Sequence, residues 1–300
     1  MNSFEQMIKL AKLKSKKVIS IACAEDQDVL LAVEKARSIG VVDAILVGDC
    51  EKIKQIAKKN DINLGNYRTV DIKDINEASR EAVRLVSSGE ADLLMKGLVD
   101  TSIILKAVLD KEIGLRGDSV LSHVAVFEIE GWNRLFYVTD AAMNIAPDLN
   151  AKKKIIENAV KVAKSLEIEN PKVACICAKE KVNAKMTDTV DAKALEDMNK
   201  NGELEGCLVG GPFALDNAIS EEAARHKGMD HPVAGKADIL MAGDIEAGNI
   251  LYKSMAFFAR SKNAGIIVGA RKPIVLTSRA DNEEAKLNSI ILGSLTADKL

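Results

Sequence analysis

The feature that most constrains this 300-residue chain is a repeated unit: a short β-branched run, a turn, then a segment with apolar residues at helical spacing. "KKVISIACA" (Lys16 to Ala24) precedes a helix predicted from Asp26 to Ser38 with Gly40 as its stop, and "DAILVGD" (Asp43 to Asp49) precedes another. "YRTVDI", "ADLLMKG", "HVAVFEI" and "RLFYVTD" continue the series, and a long amphipathic helix follows near Leu149 to Ser165. "KVACICA", "GCLVGG", "ADILMAGD", "AGIIVGA" and "PIVLTS" complete it. Parallel strands need crossovers of helix length, so the alternation predicts an α/β fold of mostly parallel sheets with helices on both faces.

At 47% hydrophobic and 29% charged residues, the chain carries enough apolar material for two lobes with their own cores. The run "YVTDAAMNIAPDLN", where an apolar strand ends in polar and Pro-containing sequence, reads as a change of lobe. Because no Gly/Ser-rich linker or repeat is visible, the lobes are expected to be closely coupled around a cleft. The 42 basic residues face 44 acidic ones, for a net charge of -2, which argues against a nucleic-acid partner. Met1 to Lys17 reads as an amphipathic helix with Phe4, Met7, Ile8 and Ala11 on one face rather than a signal peptide. No apolar run approaches the roughly 20 residues that cross a bilayer. The expectation is a cytoplasmic protein without a membrane partner. The five cysteines mostly sit in apolar strand-like runs, as reduced core thiols do.

Open α/β sheets bind ligands at the carboxyl ends of their strands, which directs attention there. "ADLLMKGLVDTS" ends a buried strand with Lys96 and Gly97, then opens a helix near Thr101 and Ser102, where free N–H groups and a lysine suit an anion. The alternative is an ordinary strand-to-helix turn with Thr101 as N-cap. Asp140 and Asn144 follow the strand in "VTDAAMN", and Asp244 and Glu246 follow the one in "ADILMAGDIEAGN"; each reads equally as a turn cap. "LVGGPFALDN" places Gly210, Gly211 and Pro212 after a strand, without the Lys and Ser/Thr of a phosphate-binding P-loop. No G-x-G-x-x-G follows the opening strand, and no carboxylate or His set has metal-ligand spacing, so neither a nucleotide cofactor nor a metal is expected. His123 stands at a strand start in "LSHVAVFEI", where it reads first as a structural residue and, alone of the three histidines, second as a base. The strongest strand end is "PIVLTSRADNEEAKLNS", where Ser278 and Arg279 offer a hydroxyl and a bidentate fork to a tetrahedral oxyanion such as phosphate; the alternative is a structural pair with Arg279 bridging to a carboxylate across the lobes.

"LMKGLVDTS", "VTDAAMN", "GGPFALDNA", "VAGKADILMAGDIEAGNILYK" and "PIVLTSR", in this order, resemble the phosphate acetyl/butyryl transferase family over nearly the entire chain. "VLTSRAD" and the 300-residue length resemble its phosphate butyryltransferase branch. The resemblance implies an isocitrate/isopropylmalate dehydrogenase-like fold of two lobes, with residues 1–117 plus 268–300 in the first and 118–267 in the second, and a homodimer or higher oligomer paired through the second lobe. It implies reversible transfer of a short acyl group, butyryl favoured, between coenzyme A and inorganic phosphate. Acyl-CoA and phosphate are then the partners, and coenzyme A is a substrate rather than a resident cofactor. Ser278 and Arg279 match the pair that handles phosphate and the acyl group, and Lys96, Gly97 and Thr101 fall in the matching strand-turn-helix. Lys106 stands where acetyl-transferring members carry an Arg implicated in coenzyme A binding. Two positions depart: Ala256 replaces an Arg, and Ala285 stands where an Asp is proposed as base, leaving Asp281 and Glu284 as the neighbouring carboxylates. His123, Asp140, Asn144 and Asp244 complete the expected substrate contacts. The alternatives are a phosphate acetyltransferase, an NAD(P)-dependent dehydrogenase of the related fold, or a non-catalytic two-lobed anion-binding protein.

Overall fold

The computed structural model describes residues 1–277 and 281–300. The chain divides into a terminal unit, Phe4–Asp118 with Asn263–Leu300, and a central unit, Met1–Ser3 with Ser119–Lys262. The crossing at Asp118 differs from the reading of "YVTDAAMNIAPDLN" as a change of lobe, since that run lies wholly inside the central unit. Its polar residues serve the turn between a strand and a helix, described below.

The terminal unit begins α1 (Phe4–Lys12), β1 (Lys17–Ala22), α2 (Gln27–Ser38), β2 (Val42–Gly48), α3 (Cys50–Lys59), β3 (Arg68–Asp71), α4 (Ile75–Ser87), β4 (Leu93–Lys96) and α5 (Thr101–Val108). The central unit holds β5 (Ser122–Glu128), β6 (Leu135–Thr139), α6 (Leu149–Ser165), β7 (Lys172–Ile176), α7 (Thr187–Lys200), β8 (Leu208–Phe213), α8 (Leu215–Ile219), α9 (Glu221–His226), β9 (Ile239–Ala242) and α10 (Ile245–Lys253). The chain returns to the terminal unit with β10 (Lys262–Val268), β11 (Ile274–Val275) and α11 (Glu283–Thr296).

In the terminal unit the strand order is β3-β2-β1-β4-β11-β10, parallel except for β10, which runs against β11. α2 illustrates how sequence sets an element. Asp26 caps it by accepting from Val29 N, Val29, Leu30, Ala32, Val33 and Ala36 form its buried face, and Gly40 takes the positive φ of 84° just beyond it. α11 is different: every residue from Ala285 to Thr296 is buried, including Lys286, Asn288 and Ser289. Such a helix is surrounded by protein, and its polar groups must find partners there. Ser289 does so by donating to Ala285 O at 2.7 Å and accepting from Gly265 N at 2.9 Å.

In the central unit the order is β5-β6-β9-β7-β8, with β5 antiparallel to β6 and the rest parallel. Its core gathers Phe127, Phe136, Phe213, Leu240, Tyr252 and Met255. Lys152, 4% exposed on α6, is held by Asp188 at 2.8 Å and Asp191 at 2.7 Å, tying α6 to α7. Gly210, Gly211 and Pro212 lie inside β8 rather than after it. β8 ends the strand order, where a proline interrupts no ladder, and a Cβ on Gly211 would come within 2.9 Å of Cys175 Cβ on the adjacent strand.

A close backbone approach in the terminal unit is at Gly97. Its N–H donates to Ala22 O at 2.8 Å, Leu98 N donates to Cys23 O at 2.7 Å, and a Cβ on Gly97 would sit 2.2 Å from Cys23 O. Replacement of Gly97 by Ala is expected to cost about 1–3 kcal/mol through forced backbone shifts, read as a lower urea midpoint at unchanged slope. A midpoint equal to that of the parent chain would contradict this packing.

Candidate functional site

β1 and β4 are parallel neighbours, with Ala22 opposite Lys96, so both strands end at one level. Beyond that level the chain has no ladder to continue, and the turn after β4 is closed by the Gly97 contacts. Lys96 is 7% exposed, and its Nζ donates to Gly97 O at 3.2 Å and Val99 O at 3.0 Å. The ammonium is therefore oriented by its own turn. Asp100 takes the N-cap position of α5, and Thr101 is the first helical residue rather than the cap. Thr101 and Lys106 are both exposed on α5.

A cavity of about 150 Å³ opens at this strand end, lined by Asp26, Asp28, Lys96, Gly97, Thr277 and Lys286 among others. Lys96 and Gly97 are the expected site residues that line it. Asp26, Asp28, Thr277 and Lys286 were not expected there. In "EEAKLNSIILGSL" Lys286 follows Glu283 and Glu284 closely enough to read as a surface charge, so the sequence carries no signal for it. Lys286 is 4% exposed, its Nζ donates to Asp281 O and lies 3.7 Å from Asp28 Oδ2.

Ser278 and Arg279 lie outside the described residues. The strand before them is shorter than expected, for β11 pairs only at Ile274 and Val275. On the far side Asn282 caps α11 by accepting from Ala285 N at 2.9 Å. Ala285 is buried, Glu284 is exposed in the first helical turn, and Asp281 precedes the cap.

The remaining expected residues cluster in the central unit around residues 140–145. Asp140, 3% exposed, accepts on Oδ1 from the N–H groups of His123 (3.1 Å), Ala142 (3.0 Å) and Met143 (3.1 Å). On Oδ2 it accepts from Asn144 N at 3.0 Å and Asn144 Nδ2 at 2.5 Å. Asn144 Nδ2 also donates to Leu121 O at 2.8 Å. A carboxylate carrying this many charge-assisted bonds organises the turn after β6. His123, 6% exposed, packs its ring edge-on against Tyr252 at 5.7 Å between centroids. Asp244 caps α10 by accepting from Ala247 N at 2.8 Å, while Ile245 N donates to Ile145 O at 3.1 Å. α10 therefore closes on the same turn, and Gly248 is required there because a Cβ would lie 2.1 Å from Asp140 O.

The thiols are chemically quiet. Burial, with Glu25 nearby, pushes the Cys23 thiol up to about 11. Burial also pushes Cys177 and Cys207 up to about 11, and Cys175 higher still. Near neutral pH these groups are protonated and poor nucleophiles. Among the described residues no group of three or more His, Cys, Asp or Glu stands together as a metal site, and no helix is long and apolar enough to cross a membrane.

Comparison with known proteins agrees with this framework. The model of the phosphate acetyl/butaryl transferase family matches residues 3–81 and 72–294. The phosphate butyryltransferase of Clostridium beijerinckii is 50% identical over 295 residues, covering 98% of each chain. A branched-chain phosphotransacylase structure from Enterococcus faecalis V583 is 36% identical with a TM-score of 0.83, covering 95% of this chain and 100% of that one. A 4-hydroxythreonine-4-phosphate dehydrogenase from Klebsiella pneumoniae, 13% identical, shares the fold at a TM-score of 0.51 over 94% of this chain and 100% of its own. A family match across nearly the whole length, with curated relatives of equal extent, means that the chain belongs to the phosphate acetyl/butyryl transferase family.

Proposed function

We propose that the protein transfers a short acyl group, butyryl favoured, reversibly between coenzyme A and inorganic phosphate. The observation that carries this reading is the 50% identity to a phosphate butyryltransferase over 98% of both chains. The acetyl-transferring alternative differs in pocket volume, and apolar pockets separate homologous acyl chains by only about 1–3 kcal/mol per methylene.

In the proposed reaction a phosphate oxygen attacks the thioester carbonyl carbon. The C–O bond forms as the C–S bond breaks, and the proton carried by phosphate passes to the departing thiolate, giving acyl phosphate and coenzyme A. Lys96, buried at the end of β4, supplies fixed positive charge for the entering anion. Ser278 and Arg279 are assigned to the oxyanion and to phosphate from the family resemblance. Asp281 and Glu284 are the carboxylates assigned to proton management in place of the residue that Ala285 lacks, with His123 as the imidazole alternative. Thr101 and Lys106, exposed on α5, are assigned to coenzyme A contact. No enzyme nucleophile is required, because orientation of phosphate against the thioester is itself catalytic. The free thiol product suits a reducing compartment, so the reaction is placed in the cytoplasm.

Copies of the chain are proposed to pair through the central unit, as a dimer or a multiple of one. Ile250 on α10 is 66% exposed, and Phe257 and Phe258 just beyond it are 62% and 90% exposed. Large apolar groups this open to water mark an association surface.

Mixing the protein with butyryl-CoA is expected to release free thiol only when phosphate is present, and Arg279→Ala is expected to lower that rate on the order of a hundredfold or more. An absorbance change dependent on NAD(P), or phosphate binding without turnover, would support the dehydrogenase or the anion-binding alternative instead. Ile250→Glu combined with Phe258→Glu is expected to turn the parent oligomer into monomer by sedimentation velocity; an unchanged sedimentation coefficient would refute this pairing surface.

A further inference from the structure

Two lysines share one small cavity in the terminal unit. Lys96 is 7% exposed and Lys286 is 4% exposed, and both line the space of about 150 Å³ beyond β1 and β4. Removing an ammonium from water is costly unless an opposite charge compensates it. For Lys286 the cavity's own carboxylates compensate poorly. Asp26 spends Oδ1 on Val29 N at 3.0 Å as the cap of α2. Asp28 lies 3.7 Å from Lys286 Nζ, beyond hydrogen-bonding distance, and its side chain is 54% exposed. An exposed carboxylate is well screened and contributes little to a buried partner.

An ammonium carries three N–H donors, and among the described residues Lys286 places one on Asp281 O. Its stem belongs to α11, buried throughout from Ala285 to Thr296, so the charge is pre-positioned and loses little entropy on meeting a ligand. Thr277, 6% exposed, adds a hydroxyl to the same wall.

We infer that Lys286 is a second cationic ligand for phosphate, acting opposite Lys96 on the same dianion. The inference rests on the proposed acyl transfer for its catalytic meaning, since the phosphate bound there is the acyl acceptor. It also gives the chain a use for the helix turn in which Ala285 offers no functional group. Asp28, at the rim of the cavity, then places a like charge beside the entering phosphate.

The test compares Lys286→Met, Lys286→Arg and Asp28→Asn with the parent protein, using initial rates of thiol release and calorimetric titration with inorganic phosphate alone. Lys286→Met is expected to raise the KM for phosphate about tenfold or more while the KM for butyryl-CoA stays within about twofold, and to weaken phosphate binding in parallel. Lys286→Arg is expected to restore most of the affinity, and Asp28→Asn to lower the KM for phosphate. Unchanged phosphate binding and KM in Lys286→Met, or an equal rise in both KM values, would overturn the inference. If Lys286→Met does not fold, Asp28→Asn decides: no gain in phosphate affinity overturns it. The two readings separate cleanly. A parent protein that binds phosphate through Lys286 without releasing thiol would sink acyl transfer and keep the site, whereas intact turnover with phosphate affinity indifferent to Lys286 would do the reverse.

Discussion

The approach of Gly97 to the end of β1 is the constraint on which the terminal unit's chemistry depends. With a hydrogen in place of a side chain, the turn after β4 can donate to the carbonyls of Ala22 and Cys23, which brings two parallel strands to a common end. That termination faces Lys96 into a cavity and leaves Gly97 O and Val99 O to orient its ammonium. A glycine after a strand is often read as room for a ligand. Here the room is taken by backbone, and the ligand space lies beside it.

The central unit solves a related problem with a carboxylate. Asp140 gathers the N–H groups of residues that follow β6 and of His123 on β5, and α10 packs against the turn so closely that only Gly248 fits. Asn144 and Asp244 extend the same arrangement through Leu121 O and Ala247 N. Their bonds go to the protein's own backbone, as befits a turn whose position must be reproducible. A buried acid that accepts several N–H groups buys rigidity where the chain has no ladder.

Much of this was legible in the sequence because strand ends announce themselves. Runs such as "KKVISIACA" and "ADLLMKG" are apolar and end abruptly in Gly or charge, so β1 and β4 emerged close to where they were expected. The short helices α8 and α9 carry too few residues to show a period, and Pro212 hid the end of β8, because an edge strand tolerates what an inner one does not. Lys286 was missed for another reason. Beside Glu283 and Glu284 it reads as an exposed charge in a first helical turn, and only the packing of α11 inside the unit shows that it is enclosed. Asp26 and Asp28 are likewise invisible as cavity residues until α2 is set beside β4. Chemistry that depends on one element covering another leaves no pattern along a single segment.

The central claim is direct attack of phosphate on the thioester, with no acyl group held on the protein. The most direct test is exchange of labelled coenzyme A into butyryl-CoA when phosphate is withheld. Direct attack predicts no exchange without phosphate, and its appearance when phosphate is added. Exchange at rates near turnover in phosphate-free solution would require an acyl-enzyme and would contradict the account.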